Sequence, residues 1–496
     1  MPDASASDAA VPRQSDLSGR GKIMGKVSVV SRGGRPVELD SRVVEEFAAG
    51  LGGTLLTQDS AGYEEARAVW NAMIGTRPAL IARCGNAEDV QKAVRFAAEH
   101  DLLLSVRGAG HNIAGSGLCE GGLTIDLSQM RKVEVDPATL TAVVQPGATL
   151  GDVDAATLAH GLALPVGINS TTGIAGLTLG GGFGWLSRKH GLTIDSLISA
   201  DVVTATGEMI GASETENPDL FWGLRGGGGN FGVVTSFTFE LHPMGPELLC
   251  GLVVHPFSNA KDILPYYREF TADCPDELTL WMVLRDAPPL PFLPEQVHGT
   301  KVVVFAFVYA GDPAMGEELV APLRAWGNPH GEHVGVIPFA GFQQAFDPLL
   351  TPGARNYWKS HNFEAIDDGL IDEILAATGT LPSPQSEIFV AQVGGEAARR
   401  PIDSTAYPHR DAAYVMNVHT RWEDPADDAA CVDWARAFFD ATAPYSTGGV
   451  YLNFVSEAAD EARVLAAYGA HYPRLRKIKA RYDPENVFCT NLNVRP

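Results

Sequence analysis

Glycine is concentrated in two segments of the chain. Residues 173–184, GIAGLTLGGGFG, hold six glycines in twelve positions, and a second run follows at 226–229. So many glycines destabilise a packed helix or an ordinary strand, because glycine loses the most conformational freedom on folding and has no side chain to pack. Glycine also lets backbone N–H groups approach phosphates closely. The two segments therefore predict a site that wraps a large, flat, phosphate-bearing ligand.

Size, charge and cysteine usage exclude several classes of protein. A chain of 496 residues is long enough for two large domains or three medium ones. With 37 Lys and Arg against 60 Asp and Glu the net charge is −23, which repels polyanions, so we expect no nucleic-acid or membrane partner. No apolar stretch reaches the length of a membrane span, and the first forty residues lack the apolar core of a secretory signal. The six cysteines are scattered, without a zinc-ligand spacing. We expect a cytoplasmic protein with reduced thiols and no metal site.

Local patterns outline two regions after residues 1–37, a stretch low in large apolar residues that we expect to be a flexible tail. The first region contains a helix near 41–51, a strand–helix–strand unit from Pro78 to Val106 with Asn86 as the helix N-cap, a helix at 149–160, and a hairpin near 201–210. After about Leu241, strand-like runs alternate with helical stretches, which is typical of an α+β domain whose antiparallel sheet is covered by helices on one face. The last of these runs is 450–455, and a final helix is predicted at 461–479.

Several common nucleotide-binding and catalytic motifs are absent. Gly25 and Lys26 lack the rest of a phosphate-binding P-loop, and no Gly-x-Ser-x-Gly elbow occurs. After Gly108 and Gly110 a dinucleotide fingerprint would need a third glycine at position 113, which is Ile113. The glycine-rich ligand site is therefore of another kind, and an FAD site without this fingerprint satisfies the pattern.

Residues from about 77 to 241 resemble the FAD-binding domain of the vanillyl-alcohol oxidase/p-cresol methylhydroxylase superfamily. Within it, the chain is most similar to the berberine-bridge-enzyme-like oxidoreductases, and the matching stretches cover about 85% of the chain in the expected order. These stretches are RGAGH at 107–111, GIAG at 173–176 with GGGFG at 180–184, KHGLTID at 189–195, LFW at 220–222 with GVVT at 232–235, PHR at 408–410, YLNF at 451–454 and YDPENVF at 482–488.

The resemblance implies a two-domain α+β fold of the p-cresol methylhydroxylase type. Residues 38–241 would form the FAD-binding domain, 242–455 the substrate-binding domain, and 456–496 a C-terminal segment that returns to the FAD domain. FAD would be held covalently through His111 and the 8α-methyl group of the flavin, with a turn-capping histidine as the alternative interpretation of His111. The further cofactor-binding residues implied are Arg107, Gly108, Ala109, Gly110, Asn112, Asn169, Thr172, Gly173, Gly176, Gly182, Val234, Asn491 and Asn493.

One departure from the family pattern concerns a second covalent link. Many members bind flavin C6 through a cysteine placed before the second glycine loop, and here Asn169 occupies that position. A single link is therefore expected, which resembles the bacterial members of the 6-hydroxy-D-nicotine oxidase type. Thr172 falls where the family has a small aliphatic residue that shapes oxygen access, so the choice between oxidase and dehydrogenase stays open.

Catalytic candidates come from the region implied to cover the flavin. Tyr451 matches a family position for a base, which would need a lowered pKa; a strand tyrosine packed in the sheet is the equal alternative. An amide at Asn417 can position substrate but cannot act as a base. Lys359 would approach the flavin or the substrate, or else be a surface lysine, and Asn491 and Asn493 would bind the flavin ring or fix the chain end. His409 and Arg410 are interpreted as structural.

The resulting prediction is an FAD-dependent oxidase. It would transfer a hydride from a small alcohol, phenol, sugar or amine to covalently bound flavin, and dioxygen would reoxidise the flavin to give hydrogen peroxide. The alternatives are a dehydrogenase of the same fold with another electron acceptor and a flavin-containing binding protein with a decayed site. We expect a monomer or homodimer whose partners are a small substrate and dioxygen.

Overall fold

The computed structural model describes residues 25–457 and 461–496. The chain enters through a hairpin in which β1 (Lys26–Val30) pairs antiparallel with β2 (Pro36–Asp40). The flexible tail predicted for 1–37 is therefore wrong for residues 26–37, while residues 1–24 lie outside the described range. The hairpin is held because Val29 is buried in the core, the Val30 N–H donates to the Gly121 carbonyl and the Val30 carbonyl accepts from the Leu103 N–H.

The first sheet carries the loop that contains His111. Its strands lie in the order β3-β4-β6-β5, with β4 and β5 parallel to β6. The predicted strand–helix–strand unit is confirmed, since α3 connects β4 to β5 and the Asn86 side chain caps the helix by accepting from the Asp89 N–H. Strand β5 ends at Arg107, directly before the glycine-flanked loop. The elements of this part are α1 (Ser41–Gly50), β3 (Thr54–Thr57), α2 (Tyr63–Arg67), β4 (Leu80–Arg83), α3 (Ala87–Glu99), β5 (Leu104–Arg107) and β6 (Leu123–Asp126).

A second, antiparallel sheet follows in the order β11-β10-β12-β8-β7. The predicted hairpin is confirmed as β10 and β11, and the predicted helix at 149–160 is α4, which Thr149 and Asp152 cap reciprocally. The C-terminal segment packs its Leu475, Ile478 and Val494 into the same core. The elements are β7 (Val133–Asp136), β8 (Thr141–Val144), α4 (Leu150–Leu158), β9 (Leu162–Ala163), α5 (Ile174–Leu179), α6 (Ser187–His190), β10 (Leu197–Val203), β11 (Met209–Ser213), α7 (Pro218–Leu224), β12 (Val233–Glu240) and β13 (His242–Pro243).

The glycine-rich segment contains a short helix, contrary to the expectation that it would exclude one. Helix α5 has six residues with Gly173 as its N-cap, so only Gly176 lies inside it. The remaining glycines form a tight loop. A Cβ on Gly184 would lie 1.9 Å from the Val166 carbonyl oxygen, and one on Gly182, whose φ is +78°, would lie 2.3 Å from the Thr193 hydroxyl. The loop needs glycine because other chain segments approach its backbone closely.

The third sheet has seven strands in the order β17-β14-β16-β15-β19-β20-β18, all antiparallel. Helices α8, α9, α11 and α13 cover one face and form with it the largest hydrophobic core, as the α+β prediction requires. Part of the opposite face packs against residues 183–194, and part of it lines a cavity. The elements are β14 (Glu247–Pro256), α8 (Ala260–Ala272), β15 (Leu278–Asp286), β16 (Lys301–Tyr309), α9 (Pro313–Ala325), β17 (Gly331–Pro338), α10 (Phe339–Gln343), β18 (Arg355–Phe363), α11 (Asp368–Gly379), β19 (Glu387–Gln392), α12 (Glu396–Arg399), β20 (Tyr414–Trp422) and α13 (Asp428–Thr442).

Two predictions for the end of the chain are wrong in detail. The run 450–455 is not a strand, because the Val450 N–H bonds to Ala466 and residues 452–454 form a 3₁₀ turn. The final helix is divided into α14 (Glu461–Tyr468) and α15 (Tyr472–Tyr482) by a turn at Gly469, whose φ is +49°. The domain bounds at 241 and 455 stay a prediction. None of the described helices is long and apolar enough to cross a membrane.

Candidate active site

A cavity of about 950 Å³ lies between the glycine-rich loops and the face of the seven-stranded sheet that α8, α9, α11 and α13 do not cover. This volume is at the upper end of the range for ligand sites. It brings together nearly all the predicted site residues, although they are spread over almost four hundred positions. Those that line it are Arg107, Gly108, Ala109, Gly110, His111, Asn112, Asn169, Thr172, Gly173, Gly176, Val234, Asn417, Tyr451, Asn491 and Asn493; Gly182 and Lys359 do not.

His111 projects from the loop that follows β5. Its ring stacks on Trp70, with centroids 5.0 Å apart, and Gly110 before it has a φ of +76° that favours glycine. Arg107 holds the base of the loop by donating to the carbonyls of Ala66 and Ala68. Desolvation of the His111 imidazole lowers its pKa to about 3. The ring is therefore neutral at physiological pH and keeps a lone pair on one nitrogen.

Thr171 and Thr172, which follow Asn169 at the position of the family's second link, contact this imidazole. The Thr171 hydroxyl donates to Asn169 Oδ1 at 2.7 Å, so its oxygen is left to accept from His111 Nε2–H, also at 2.7 Å. Asn169 is itself held by its amide, which donates to the Leu350 carbonyl at 3.3 Å. This chain of hydrogen bonds assigns the proton of His111 to Nε2 and leaves a lone pair on Nδ1, which lies 3.5 Å from the Thr172 hydroxyl oxygen.

The glycines of the site provide close backbone approach on one side and open space on the other. A Cβ on Gly173 would lie 3.0 Å from the Ala109 backbone nitrogen, so the two loops touch. A Cβ on Gly176 would meet nothing within 4 Å, so this backbone faces the open cavity. Asn491 donates to the Gly229 carbonyl at 3.1 Å, and the buried Asn493 Oδ1 has no partner among the described residues. Both asparagines therefore remain candidates for binding a flavin ring.

Tyr451 does not meet the requirement for a base. Its hydroxyl accepts from the Gly182 N–H and from the Asn453 side-chain amide, each at 3.0 Å, and the residue is 2% exposed. Burial raises the pKa of Tyr451 to about 12, so the lowered pKa that a tyrosine base needs is not present. The residue is also not part of a strand. Through this hydroxyl it fixes Gly182, which lies behind the cavity wall.

Asn417 and Lys359 lie on neighbouring strands but on opposite faces of the sheet. Asn417 lines the cavity, and its buried Oδ1 finds no donor in the part of the chain that the structure describes. Lys359 points to the helix-covered face, where its Nζ lies 5.1 Å from the Phe439 ring centroid and pairs with Glu457 at 3.1 Å. It is 4% exposed. Lys359 is therefore neither a surface lysine nor a group in direct reach of substrate, because strand alternation turns it away.

A row of ionisable residues that the sequence did not indicate crosses the cavity wall. Arg285, Glu387 and His419 occupy paired positions on β15, β19 and β20. Arg285 donates to Glu387 at 2.6 Å, and His419 Nδ1 lies 3.3 Å from the same carboxylate. Burial alone would raise the pKa of Glu387, but Arg285 and His419 lower it to about 2. Only strand register brings the three together, so no local sequence signal marks them.

The remaining predictions concern structural residues. Arg410 forms a buried ion pair with Asp195, both groups being 3% exposed, which fits the structural interpretation. His409 donates from Nε2–H to the Ala467 carbonyl oxygen at 3.0 Å. All six cysteine thiols are free, and the described residues contain no group of His, Cys, Asp and Glu that could hold a metal.

The residues of the cavity fit FAD. The loops place glycine backbone against open space, and the volume accommodates a long ligand. Two residues of the cavity wall, Asn417 and Asn493, have a side-chain oxygen without a partner among the described residues. A neutral histidine, whose two ring nitrogens contact the hydroxyl groups of Thr171 and Thr172, lies on one of the loops. The cavity also continues to a separate polar row on the sheet, where a second, smaller molecule would contact the protein.

Comparisons with known proteins agree with this geometry. A family model described as "FAD binding domain" matches residues 78–213, and one described as "Berberine and berberine like" matches 450–495. An FAD-linked oxidoreductase of Dictyostelium discoideum is 32% identical, over 92% of this chain and 97% of the relative. The xylooligosaccharide oxidase of Thermothelomyces thermophilus is 30% identical, over 86% of this chain and 89% of the relative. The crystal structure of 6-hydroxy-D-nicotine oxidase from Arthrobacter nicotinovorans superposes with a TM-score of 0.80 at 28% identity, covering 90% of this chain and 98% of that chain.

Proposed function

Because the chain belongs to the berberine-bridge-enzyme-like family and is an FAD-linked oxidoreductase, we propose that it is an oxidase that carries FAD covalently on His111. The observation that carries the proposal is a single cavity that joins the His111 loop to the polar row of the sheet. When bound there, FAD supplies the acceptor for hydride from a substrate C–H bond and delivers the electrons to dioxygen as hydrogen peroxide. Relatives named as oxidases support dioxygen as the acceptor.

The protein's own residues bind and orient in this proposal. The His111 loop and the glycine segments hold the cofactor, and Asn417 positions the substrate through its free amide oxygen. Tyr451 keeps the glycine loop in place through its hydrogen bond with Gly182. The apolar side chains of the sheet wall exclude water from the reacting carbon.

The proposed activity is tested with the purified, flavin-loaded protein under anaerobic and aerobic conditions. We expect a substrate to bleach the visible flavin band without air, and we expect air to restore the band with one hydrogen peroxide per turnover. Slow restoration by dioxygen, with fast restoration by an artificial electron acceptor, would identify a dehydrogenase instead. Compounds that perturb the band but never bleach it would identify a binding protein with a decayed site.

The hydrogen bond from His111 to Thr171 predicts the rate of flavin attachment. Thr171→Val keeps the shape of the side chain but removes the acceptor that keeps the proton on Nε2, so a competing tautomer becomes populated. We expect covalent attachment to slow by about tenfold. The measurement is in-gel flavin fluorescence over time after FAD is added to the apoprotein. Thr215→Val, at an exposed position outside the cavity, is the control and should not change the rate.

The raised pKa of Tyr451 predicts the pH dependence of the reaction. A phenol with a pKa of about 12 stays protonated throughout the accessible pH range, so its ionisation cannot limit kcat/KM below about pH 11. We expect Tyr451→Phe to lower kcat/KM by about tenfold, through the loss of its hydrogen bonds, at every pH tested. If log kcat/KM of the wild type increased by one per pH unit and this increase were absent from Tyr451→Phe, the ionised tyrosine would instead be the base.

A further inference from the structure

The segment that connects α10 to β18, residues 344–354, lies against the loop that precedes α5. Asp347 of this segment accepts from the Ser170 N–H at 2.9 Å and also from the Ser170 hydroxyl. The Leu350 carbonyl accepts from the Asn169 side-chain amide at 3.3 Å. A part of the chain that belongs to the seven-stranded sheet therefore holds the loop whose next residues contact the imidazole.

The turn at residues 169–171 places the hydroxyl group that accepts from His111. The Thr171 N–H and the Thr171 hydroxyl both donate to Asn169 Oδ1, at 3.0 and 2.7 Å. This leaves the hydroxyl oxygen to accept from His111 Nε2–H at 2.7 Å. Asp347 does not line the cavity, so its effect on the imidazole passes through this turn.

The Trp70 ring, on which His111 stacks, is fixed by the same segment. Its indole N–H donates to the Leu350 carbonyl at 2.9 Å. The guanidinium of Arg421, on β20, lies 5.4 Å from the centre of a Trp70 ring. Arg421 also donates to the Thr351 carbonyl at 2.7 Å and to the Thr351 hydroxyl at 3.1 Å. The stacking partner of the imidazole is therefore held both through its edge and through its face.

Arg421 is a buried cation that these contacts explain. It is 4% exposed, it does not line the cavity, and its Nε and one terminal nitrogen have no hydrogen-bond partner among the described residues. Burial lowers the pKa of Arg421, and the charge of Glu387 acts in the opposite direction. Burying a guanidinium is costly, and a tryptophan ring offsets part of that cost by cation–π attraction.

We propose that Asp347 and Arg421 are positioning residues for the covalent attachment of FAD to His111. The inference rests on the proposed function, because it concerns the attachment which that function assumes. Asp347 holds the turn that keeps the imidazole proton on Nε2, and Arg421 holds the Trp70 ring against which the imidazole stacks. An imidazole held in both ways presents its lone pair in one orientation, as a bond-forming step requires.

Neither residue takes part in the bond changes of attachment. A bond forms between a ring nitrogen of His111 and the 8α carbon of FAD, while one C–H bond of the 8α-methyl group and the imidazole N–H bond break. The two protons and two electrons that are released reduce the flavin, and dioxygen takes them up as hydrogen peroxide. Attachment therefore needs no oxidant beyond the dioxygen of the proposed oxidase.

The test follows attachment of FAD to full-length apoprotein, produced in riboflavin-starved cells, by in-gel flavin fluorescence at several FAD concentrations. Asp347→Ala and Arg421→Met should each lower the maximal attachment rate about tenfold. The half-saturating FAD concentration should stay unchanged, because neither residue lines the cavity. Asp347→Asn, which keeps an oxygen for the Ser170 N–H, should recover most of the rate, and Arg421→Lys, which keeps the charge, should recover part of it.

Double variants with Thr171→Val show through which contact each residue acts. Asp347 acts through the turn that contains Thr171, so Asp347→Ala should slow Thr171→Val little further. Arg421 acts through Trp70, so Arg421→Met and Thr171→Val together should slow attachment about a hundredfold. Residues that only stabilise the fold would not produce this difference between the two pairs.

Asp372→Ala on α11 and Arg42→Met on α1 are the matched controls, since both side chains are exposed and outside the cavity. They should attach FAD at the wild-type rate. An unchanged maximal rate in Asp347→Ala or Arg421→Met, or a raised half-saturating FAD concentration in place of a lowered rate, would overturn the inference and leave the proposed function standing. A wild type that never attaches FAD would contradict the covalent link itself and overturn the inference with it.

Discussion

Replacing His111 with alanine is expected to abolish covalent flavin attachment completely. The substitution removes the nitrogen that the proposal places in the bond to FAD, and the position of the family's second link holds Asn169, whose amide cannot form that link. The measurement is acid precipitation. The wild-type pellet should be yellow with a colourless supernatant, while the pellet of His111→Ala should be colourless. In denaturing gels, flavin fluorescence should be present in the wild type and absent in the variant.

His160→Ala changes an exposed histidine that does not line the cavity, and it should retain the full covalent flavin of the wild type. A colourless pellet from the wild type itself would show that FAD is held without a covalent bond. FAD retained by His111→Ala under native conditions but released by acid would show that the loops bind the cofactor independently of the link.

The parts of the site that local sequence encodes could be predicted from it. The glycine segments and the loop at 107–112 are continuous stretches whose backbone requirements show in the residue types themselves. The short helix at Ile174–Leu179 is not predicted, because the glycine content of residues 173–184 as a whole is high. Only Gly176 of these glycines lies inside the helix. The hairpin at Lys26–Asp40 is not predicted for a similar reason. Each of its strands buries a single side chain, Val29 or Leu39, and the average composition of the segment does not reveal one buried residue.

The parts of the site that depend on strand register could not be predicted. Arg285, Glu387 and His419 are up to 134 residues apart and meet only because β15, β19 and β20 pair in one register. The run 450–455 has the composition of a strand, yet Ser456 bonds to the Trp358 N–H through its side chain, so the segment runs beside the edge strand β18 without joining the sheet. Tertiary packing determines which of several strand-like segments joins a sheet.

Asp195→Asn is expected to destabilise the fold strongly, because it leaves a buried arginine without its counter-charge. Asp195 and Arg410 are each 3% exposed and form two hydrogen bonds of 2.7 Å. Removing one partner of such a pair costs about 3–5 kcal/mol, since the remaining charge stays desolvated. The pair also positions the site. Asp195 accepts from the Leu192 N–H, and the turn it holds donates from Thr193 to the Gly182 carbonyl.

The loss is measured as a shift of the thermal unfolding midpoint, followed by circular dichroism and by release of flavin fluorescence. Glu46→Gln is the matched control, because it breaks an ion pair between exposed side chains on α1 and should cost no more than about 0.5 kcal/mol. Restoring an uncharged, well-packed pair with Asp195→Leu and Arg410→Met together should recover part of the stability lost in Asp195→Asn. A destabilisation as small as that of Glu46→Gln would contradict the assignment of this buried pair as a structural support of the turn that contacts Gly182.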